Sequence, residues 1–256
     1  MLKDKRFLAI VPARIGSIGV RKKNIRLFNG RPLIYWALDS LTSLDDFDKI
    51  AVSTDSKEIA DCVNKYGSGV EVWRRPDELA TSNAHVMDTM QYHVQQLEKE
   101  GDVYDYVMMH HATAPLVDRL DVHKALNYLI RKDADFVVSM CKSLLSLGIS
   151  RPVPDDMMVR GWFPKEFRGL NRQELPQAYE LDNNIYVGKW QIFRDNIDYW
   201  DTNIYMYEMP QNKCADIDTE EDFKWAEIKF KLLLKEEKKH YHGIVSINGR
   251  DIFAKG

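Results

Sequence analysis

The chain is poor in cysteine, has no long apolar run and carries no surplus of positive charge. Its three cysteines, Cys62, Cys141 and Cys214, stand far apart among 256 residues. They build neither a disulfide framework nor a zinc site, so a reducing cytoplasm is the expected location. No hydrophobic stretch is long enough to span a bilayer, and the charged start Met1-Leu2-Lys3-Asp4-Lys5-Arg6 fits no signal peptide. The formal net charge of -3 argues against a general nucleic-acid binder, which needs a basic face. Neither a nucleic acid nor a membrane is therefore expected as a partner. Walker spacing, the dinucleotide fingerprint, Ser-His-Asp and Cys-His sets and zinc-ligand spacing are all missing, as are repeats and low-complexity segments.

What is present is enough apolar material for a full core. Hydrophobic residues make up 45% and charged residues 29%, which fits one large domain over residues 1–256, with room for an inserted piece. Strand and helix patterns alternate. Phe7–Val11 reads as a buried strand, 33–41 as a helix opened by Pro32, 49–54 as a strand and 57–66 as a helix capped by Ser56 or Asp55. Then come a strand at 70–73, a helix at about 84–99 capped by Asn83 or Ser82, a strand at 104–109, a helix at 120–131 and a strand at 136–140. This order predicts an α/β fold with a mainly parallel sheet and helices on both faces. Ligands of such sheets bind beyond the carboxyl ends of the strands.

Residues from about 143 to 180 break the pattern, with Pro152, Pro154, Pro164 and Pro176 between aromatic and charged side chains. They read as an excursion from the core, either a subunit-interface arm or a long surface loop. Regular structure returns at 184–187 and 204–207. A last helix starts near Thr219, with Asp222 forming a partial capping box and Phe223, Ala226, Phe230 and Leu233 as its apolar stripe. Lys235–Lys239 reads as its solvated end, and Asn248-Gly249 marks either a terminal hairpin or a loose end.

Four groups of residues point to chemistry. After the first strand, residues 13–23 bring Gly16, Ser17 and Gly19 together with Arg14, Arg21, Lys22 and Lys23. Glycines admit a phosphate to the backbone and the cations hold it, so anion binding is favoured over a solvated turn. Asp216 and Asp218, two apart, share a face when extended and suit one hard cation; a helix cap at Asp218 or Thr219 explains the same residues. Arg74-Arg75 can pair phosphate, stack on a base or simply bridge to Asp77 and Glu78. His110-His111 ends a strand, and alternation lets at most one of the two face a cleft.

These segments, in this order, resemble the acylneuraminate cytidylyltransferase family, the CMP-sugar-acid synthetases, from about residue 7 to residue 234. The likeness rests on Val11-Pro12-Ala13-Arg14 with Gly16-Ser17 and Lys23-Asn24, Val52-Ser53-Thr54-Asp55, and Arg75-Pro76 with Glu78-Leu79-Ala80. It continues through Thr113-Ala114-Pro115-Leu116, Arg172-Gln173-Glu174-Leu175-Pro176-Gln177, Ile185-Tyr186 and Asp216-Ile217-Asp218-Thr219. The resemblance implies a three-layer, Rossmann-like nucleotidyltransferase fold with an inserted dimerisation arm at about 143–180. It implies transfer of CMP from CTP to a 2-keto sugar acid, with release of pyrophosphate. By the same analogy Arg14, Lys23 and Asp218 are catalytic. Ala13, Arg14, Gly16, Ser17, Arg21, Lys23, Asn24 and Arg75 hold the nucleotide. His111, Arg172, Gln177 and Asp182 meet the sugar acid, Asp216 and Asp218 hold Mg²⁺, and the protein is a homodimer.

Several positions depart from the family pattern. Ile18 stands where the family has lysine, a loss that Arg21 or Lys22 can offset. His111-Ala112 replaces glutamine-proline, Val117 replaces arginine, and Asp182-Asn183-Asn184 replaces asparagine-glycine-alanine. The last two changes predict a pocket less welcoming to a carboxylate, and hence an acceptor other than ordinary N-acetylneuraminate. The alternatives are a same-fold nucleotidyltransferase with another base or acceptor, or a non-catalytic nucleotide-binding homologue.

Overall fold

A computed structural model of the chain describes residues 2–16, 19–67, 69–143, 152–240, 245–247 and 250–252. Strands β1 (Phe7–Pro12), β2 (Lys49–Thr54), β3 (Glu71–Arg74), β4 (Tyr106–His110), β5 (Phe136–Lys142), β6 (Tyr179–Lys189) and β7 (Ile204–Glu208) form one sheet. Their order is β3-β2-β1-β4-β6-β5-β7, and β6 alone runs against the rest. The helices are α1 (Leu33–Thr42), α2 (Lys57–Tyr66), α3 (Val86–Lys99), α4 (Arg119–Arg131), α5 (Trp190–Arg194) and α6 (Glu220–His240). No helix among the described residues is long and apolar enough to cross a membrane.

Strand alternation sorts the core into layers. Phe7, Ala9 and Val11 of β1 pack with Ile34 and Leu38 of α1, Ile59 of α2 and Leu126 of α4. Leu8 and Ile10 face the other way, onto Met90 and Val94 of α3 and Phe193 of α5. The three-layer α/β expectation is thus met. Helix α1 is apolar almost all round because its outer side is covered too: Leu33 and Trp36 pack with Phe28, Ile217, Phe223 and Phe230 beneath α6.

The expected caps hold at two helices. Ser56 accepts from the Ile59 N–H, and Thr219 and Asp222 exchange bonds at the start of α6, Asp222 accepting from the Thr219 N–H at 2.8 Å. At α3 the expectation fails. The helix starts at Val86 after His85, and neither Ser82 nor Asn83 caps it. Strand β6 begins at Tyr179, so the excursion ends before it; residues 152–178 carry only short 3₁₀ turns at Lys165–Phe167 and Arg172–Glu174, and 144–151 lie outside the described residues. Strands Val245–Ile247 and Arg250–Ile252 pair antiparallel, as a terminal hairpin requires, while its turn at 248–249 is outside the described residues. A second Asn-Gly turn, unread from the sequence, joins Leu27–Phe28 to Arg31–Pro32 with φ of 46° at Asn29 and 85° at Gly30.

Candidate active site

A cleft of about 560 Å³ opens beyond the carboxyl ends of β1, β3 and β4, where the strand order reverses. Its lining includes Arg14, Gly19, Lys23, Asn24, Arg75, His111, Asn183, Asp216 and Asp218. Residues separated by some two hundred positions in the chain therefore share one surface.

Each is held by an identifiable partner. Arg14 donates to the Thr81 carbonyl at 2.8 Å, and the buried Asn24 amide donates to the Arg14 carbonyl at 2.9 Å. Lys23 donates to Asp218 at 3.1 Å and to the Ile217 carbonyl. Ile217 is fully buried under α6, so its neighbours Asp216 and Asp218 both face the cleft, as an extended segment dictates. Two lysines pin this segment from behind. Lys213 bridges Asp118 and Asp121, at 2.7 Å to the latter, and Lys229 donates to the Cys214 carbonyl at 2.6 Å. Asp118 and Asp121 are themselves the capping box of α4.

The cleft also requires a glycine. A Cβ at Gly19 would lie 1.9 Å from the Asp218 carbonyl oxygen, so only a residue without a side chain lets the basic loop touch the acidic segment. By contrast, a Cβ at Gly16 would meet nothing within 4 Å.

Arg75 and Arg74 have different surroundings. Arg74 forms an exposed pair with Asp77 at 2.7 Å. Arg75 is buried and donates to Ser53 through Nε to Oγ, at 3.2 Å, and through Nη2 to the carbonyl, at 3.0 Å. Burial, with the Arg75 charge adding to it, pushes His93 down to about 4. Ser53 Oγ and His93 Nε2 are hydrogen-bonded at 2.7 Å, completing a chain from Arg75 through Ser53 to His93.

The histidine pair divides as alternation requires. His110 is buried, with Nδ1 on the His111 carbonyl and Nε2 facing Ser40 Oγ, both at 3.1 Å. His111 forms part of the cleft wall. Burial pushes both down to about 4, with the Lys23 charge contributing at His111. Unfolded histidine titrates near pH 6.5, so between about 6.5 and 4 the unfolded chain binds more protons than the folded one. Stability therefore falls as pH drops through that window. In thermal melts at pH 7.5, 6 and 5, His110→Gln should show a shallower decline than the parent protein; equal slopes would contradict the assignment.

Other expected site residues lie elsewhere. Ser17 and Ile18 are outside the described residues. The Ala13 side chain is core, and its N–H bonds to the Ser53 carbonyl at 2.9 Å. Arg21 is exposed away from the cleft lining, and Lys22 turns to Glu58 at 2.5 Å. Arg172 and Gln177 are exposed on the excursion, away from this cleft.

Asp182 is a correction. It faces inward, accepting from Ser139 Oγ at 2.5 Å and from the Asn184 N–H at 3.2 Å. Val117 is core as well, so neither departure reshapes the cleft through its own side chain. For Asp182 the cause is a bulge. Between the pairs Val138–Tyr186 and Met140–Leu181, Ser139 alone faces residues 182–185 of β6. The bulge puts Asn183 in a left-handed conformation, φ 54°, which Asn and Gly tolerate. Asn183 is thereby turned into the cleft, where it donates to Asp216 at 2.8 Å and accepts from the Tyr186 hydroxyl at 2.8 Å.

Asp216 and Asp218 fit a hard divalent cation. Burial, with the Asp218 charge adding to it, raises the Asp216 carboxyl above its ordinary range, a penalty a cation between the two would relieve. Two carboxylates beside an open cleft are the donor set that Mg²⁺ combines with phosphate oxygens and water.

A sequence profile described as cytidylyltransferase matches residues 8–151. The chain belongs to the cytidylyltransferase family. This cytidylyltransferase is 27% identical to the pseudaminic acid cytidylyltransferase of Campylobacter jejuni over 88% of its own length and 96% of that protein. It is 29% identical to the CMP-N,N'-diacetyllegionaminic acid synthase of Legionella pneumophila, over 86% of this chain and 94% of the relative. It is 27% identical to an N-acylneuraminate cytidylyltransferase of Streptococcus agalactiae, matching 84% of this chain but 51% of that one. Among solved structures, CMP:2-keto-3-deoxy-manno-octonic acid synthetase complexed with CTP superposes with a TM-score of 0.65 at 14% identity, over 90% of this chain and 99% of that one. The 4-diphosphocytidyl-2C-methyl-D-erythritol synthase of Anaerococcus prevotii gives 0.61 at 16% identity, over 90% and 98%. At those identities the likeness is one of fold.

Proposed function

We propose that this cytidylyltransferase transfers CMP from CTP to the anomeric hydroxyl of a nonulosonic acid, releasing pyrophosphate, with Mg²⁺ held by Asp216 and Asp218. The observation that carries the reading is the meeting of Arg14, Lys23, Asn24 and Arg75 with that carboxylate pair in one cleft. The acceptor oxygen forms a bond to the α-phosphorus, the bond from that phosphorus to the bridging oxygen breaks, and the hydroxyl proton is lost. Negative charge grows on the phosphate oxygens and on the leaving pyrophosphate. Arg14 and Lys23 face that charge, and Arg75 meets the nucleoside side. Bound Mg²⁺ would neutralise phosphate charge and orient the acceptor. His111, neutral at working pH, offers the acceptor a hydrogen bond from the cleft wall.

The names of the Campylobacter and Legionella relatives, matched over nearly their whole lengths, favour a modified nonulosonate over N-acetylneuraminate. A screen of pseudaminic, diacetyllegionaminic and N-acetylneuraminic acids with CTP and Mg²⁺, read by pyrophosphate release, tests this. A modified acceptor should be used best. N-acetylneuraminate turned over as fast as every modified acid would overturn the acceptor assignment, and no release with any of them would favour a non-catalytic protein.

The excursion supports a homodimer. Met157, Met158 and Val159 are 74%, 59% and 58% exposed in the single chain, a costly arrangement unless a second copy covers them. Arg172 and Gln177 lie on the same arm, outside the cleft lining of their own chain.

A further inference from the structure

Thr89 poses a packing problem that the cleft resolves. Its residue is 1% exposed, and Oγ1 has no hydrogen-bond partner among the described residues. A threonine within a helix has a ready alternative, the carbonyl four residues back. Thr42 takes it, donating to the Leu38 carbonyl at 2.9 Å. Thr89, in the first turns of α3, does not. Valine has the same shape without the penalty of an unsatisfied buried hydroxyl, so packing alone does not account for threonine here.

The hydroxyl does have somewhere to act, because Thr89 lines the cleft. The segment leading into α3 supplies the wall around it: Leu79, Thr81, Ala84 and Val86, with Arg75 adjoining in sequence. The lining residues of this stretch are mostly apolar, with two threonines, one arginine and no carboxylate. Asp216, Asp218 and Lys23 come from other segments and form the charged part of the cleft. A mostly apolar wall with threonine hydroxyls and no lining carboxylate suits the ring system of a nucleoside better than a triphosphate. We infer that Thr89 Oγ1 hydrogen-bonds the nucleoside part of CTP and is a binding residue of this enzyme. The inference rests on the nucleotide reading of the cleft.

Thr89→Val removes the hydroxyl and keeps the shape, and Thr89→Ser keeps the hydroxyl. Thr89→Val should raise KM for CTP about tenfold with kcat within about twofold of the parent enzyme. Its melting temperature without CTP should be unchanged or higher, while the rise on adding CTP should shrink. Thr89→Ser should keep KM within about threefold. A parental KM in Thr89→Val overturns the inference. So does a lower CTP-free melting temperature with KM raised equally in both variants, since that marks a packing role. A parent protein that neither releases pyrophosphate from CTP nor is stabilised by it overturns the nucleotide reading and this inference together. A parent that uses CTP beside an equally competent Thr89→Val overturns only the role of Thr89.

Discussion

Gly19→Ala should lower kcat/KM by about a hundredfold or more while the protein remains folded. The added methyl would sit 1.9 Å from the Asp218 carbonyl oxygen and 3.1 Å from its carbon, and both atoms are backbone. A flexible side chain could swing aside; this segment cannot. Ile217 is locked under α6, and Lys213 and Lys229 hold the chain just before it. Either the basic loop or the acidic segment must shift by an ångström or so, and reacting groups displaced that far lose orders of magnitude in rate. The sheet and its two main apolar layers involve neither residue, so circular dichroism should be unchanged. Steady-state kinetics with CTP and the best acceptor read the effect. Parental kcat/KM in Gly19→Ala would show that the close approach has no part in catalysis.

The second large effect is expected at Asp218. Asp218→Ala should lower kcat by about two to three orders of magnitude at saturating Mg²⁺, the loss typical when one charge-stabilising group is removed from a reacting centre. Its carboxylate is 74% exposed and pairs with Lys23 at 3.1 Å, so little folding stability depends on it. A residue that contributes little to stability and much to rate is one that acts on a ligand. The Mg²⁺ concentration for half-maximal activity should rise as well, because Asp216 would be left as the lone carboxylate. Near-normal activity at saturating Mg²⁺ would remove Asp218 from the metal role.

Local rules carried much of the fold. The continuous apolar run of β1, the Ser56 cap and the Thr219–Asp222 box are set by neighbours a few residues apart, and each forms where expected. The same kind of signal could have found the Asn29-Gly30 turn and the Asp118–Asp121 capping box. The α3 start differs because Ser82 and Asn83 are good caps in isolation, yet they sit in a turn closed by the Ala84 N–H on the Thr81 carbonyl at 3.3 Å, and the helix starts beyond it. Asp182 and Val117 were misjudged for a different reason. Near a ligand segment, charge and polarity say nothing about which way a side chain points; Val117 packs into the core, and the bulge opposite Ser139 turns Asp182 inward.

Residue types and their spacing were sufficient for the α/β architecture, the basic loop after β1 and the paired carboxylates, because periodicity, caps and glycine-cation clusters are short-range properties. The partnerships were settled in three dimensions. Arg75 rather than Arg74 lines the cleft, His111 rather than His110 forms its wall, and Asn183 rather than Asp182 reaches Asp216. Those choices depend on strand register, on a bulge and on contacts between segments nearly two hundred residues apart, such as Gly19 against Asp218. Burial then decides which groups keep their charge, and burial belongs to the packed molecule and not to the string of residues.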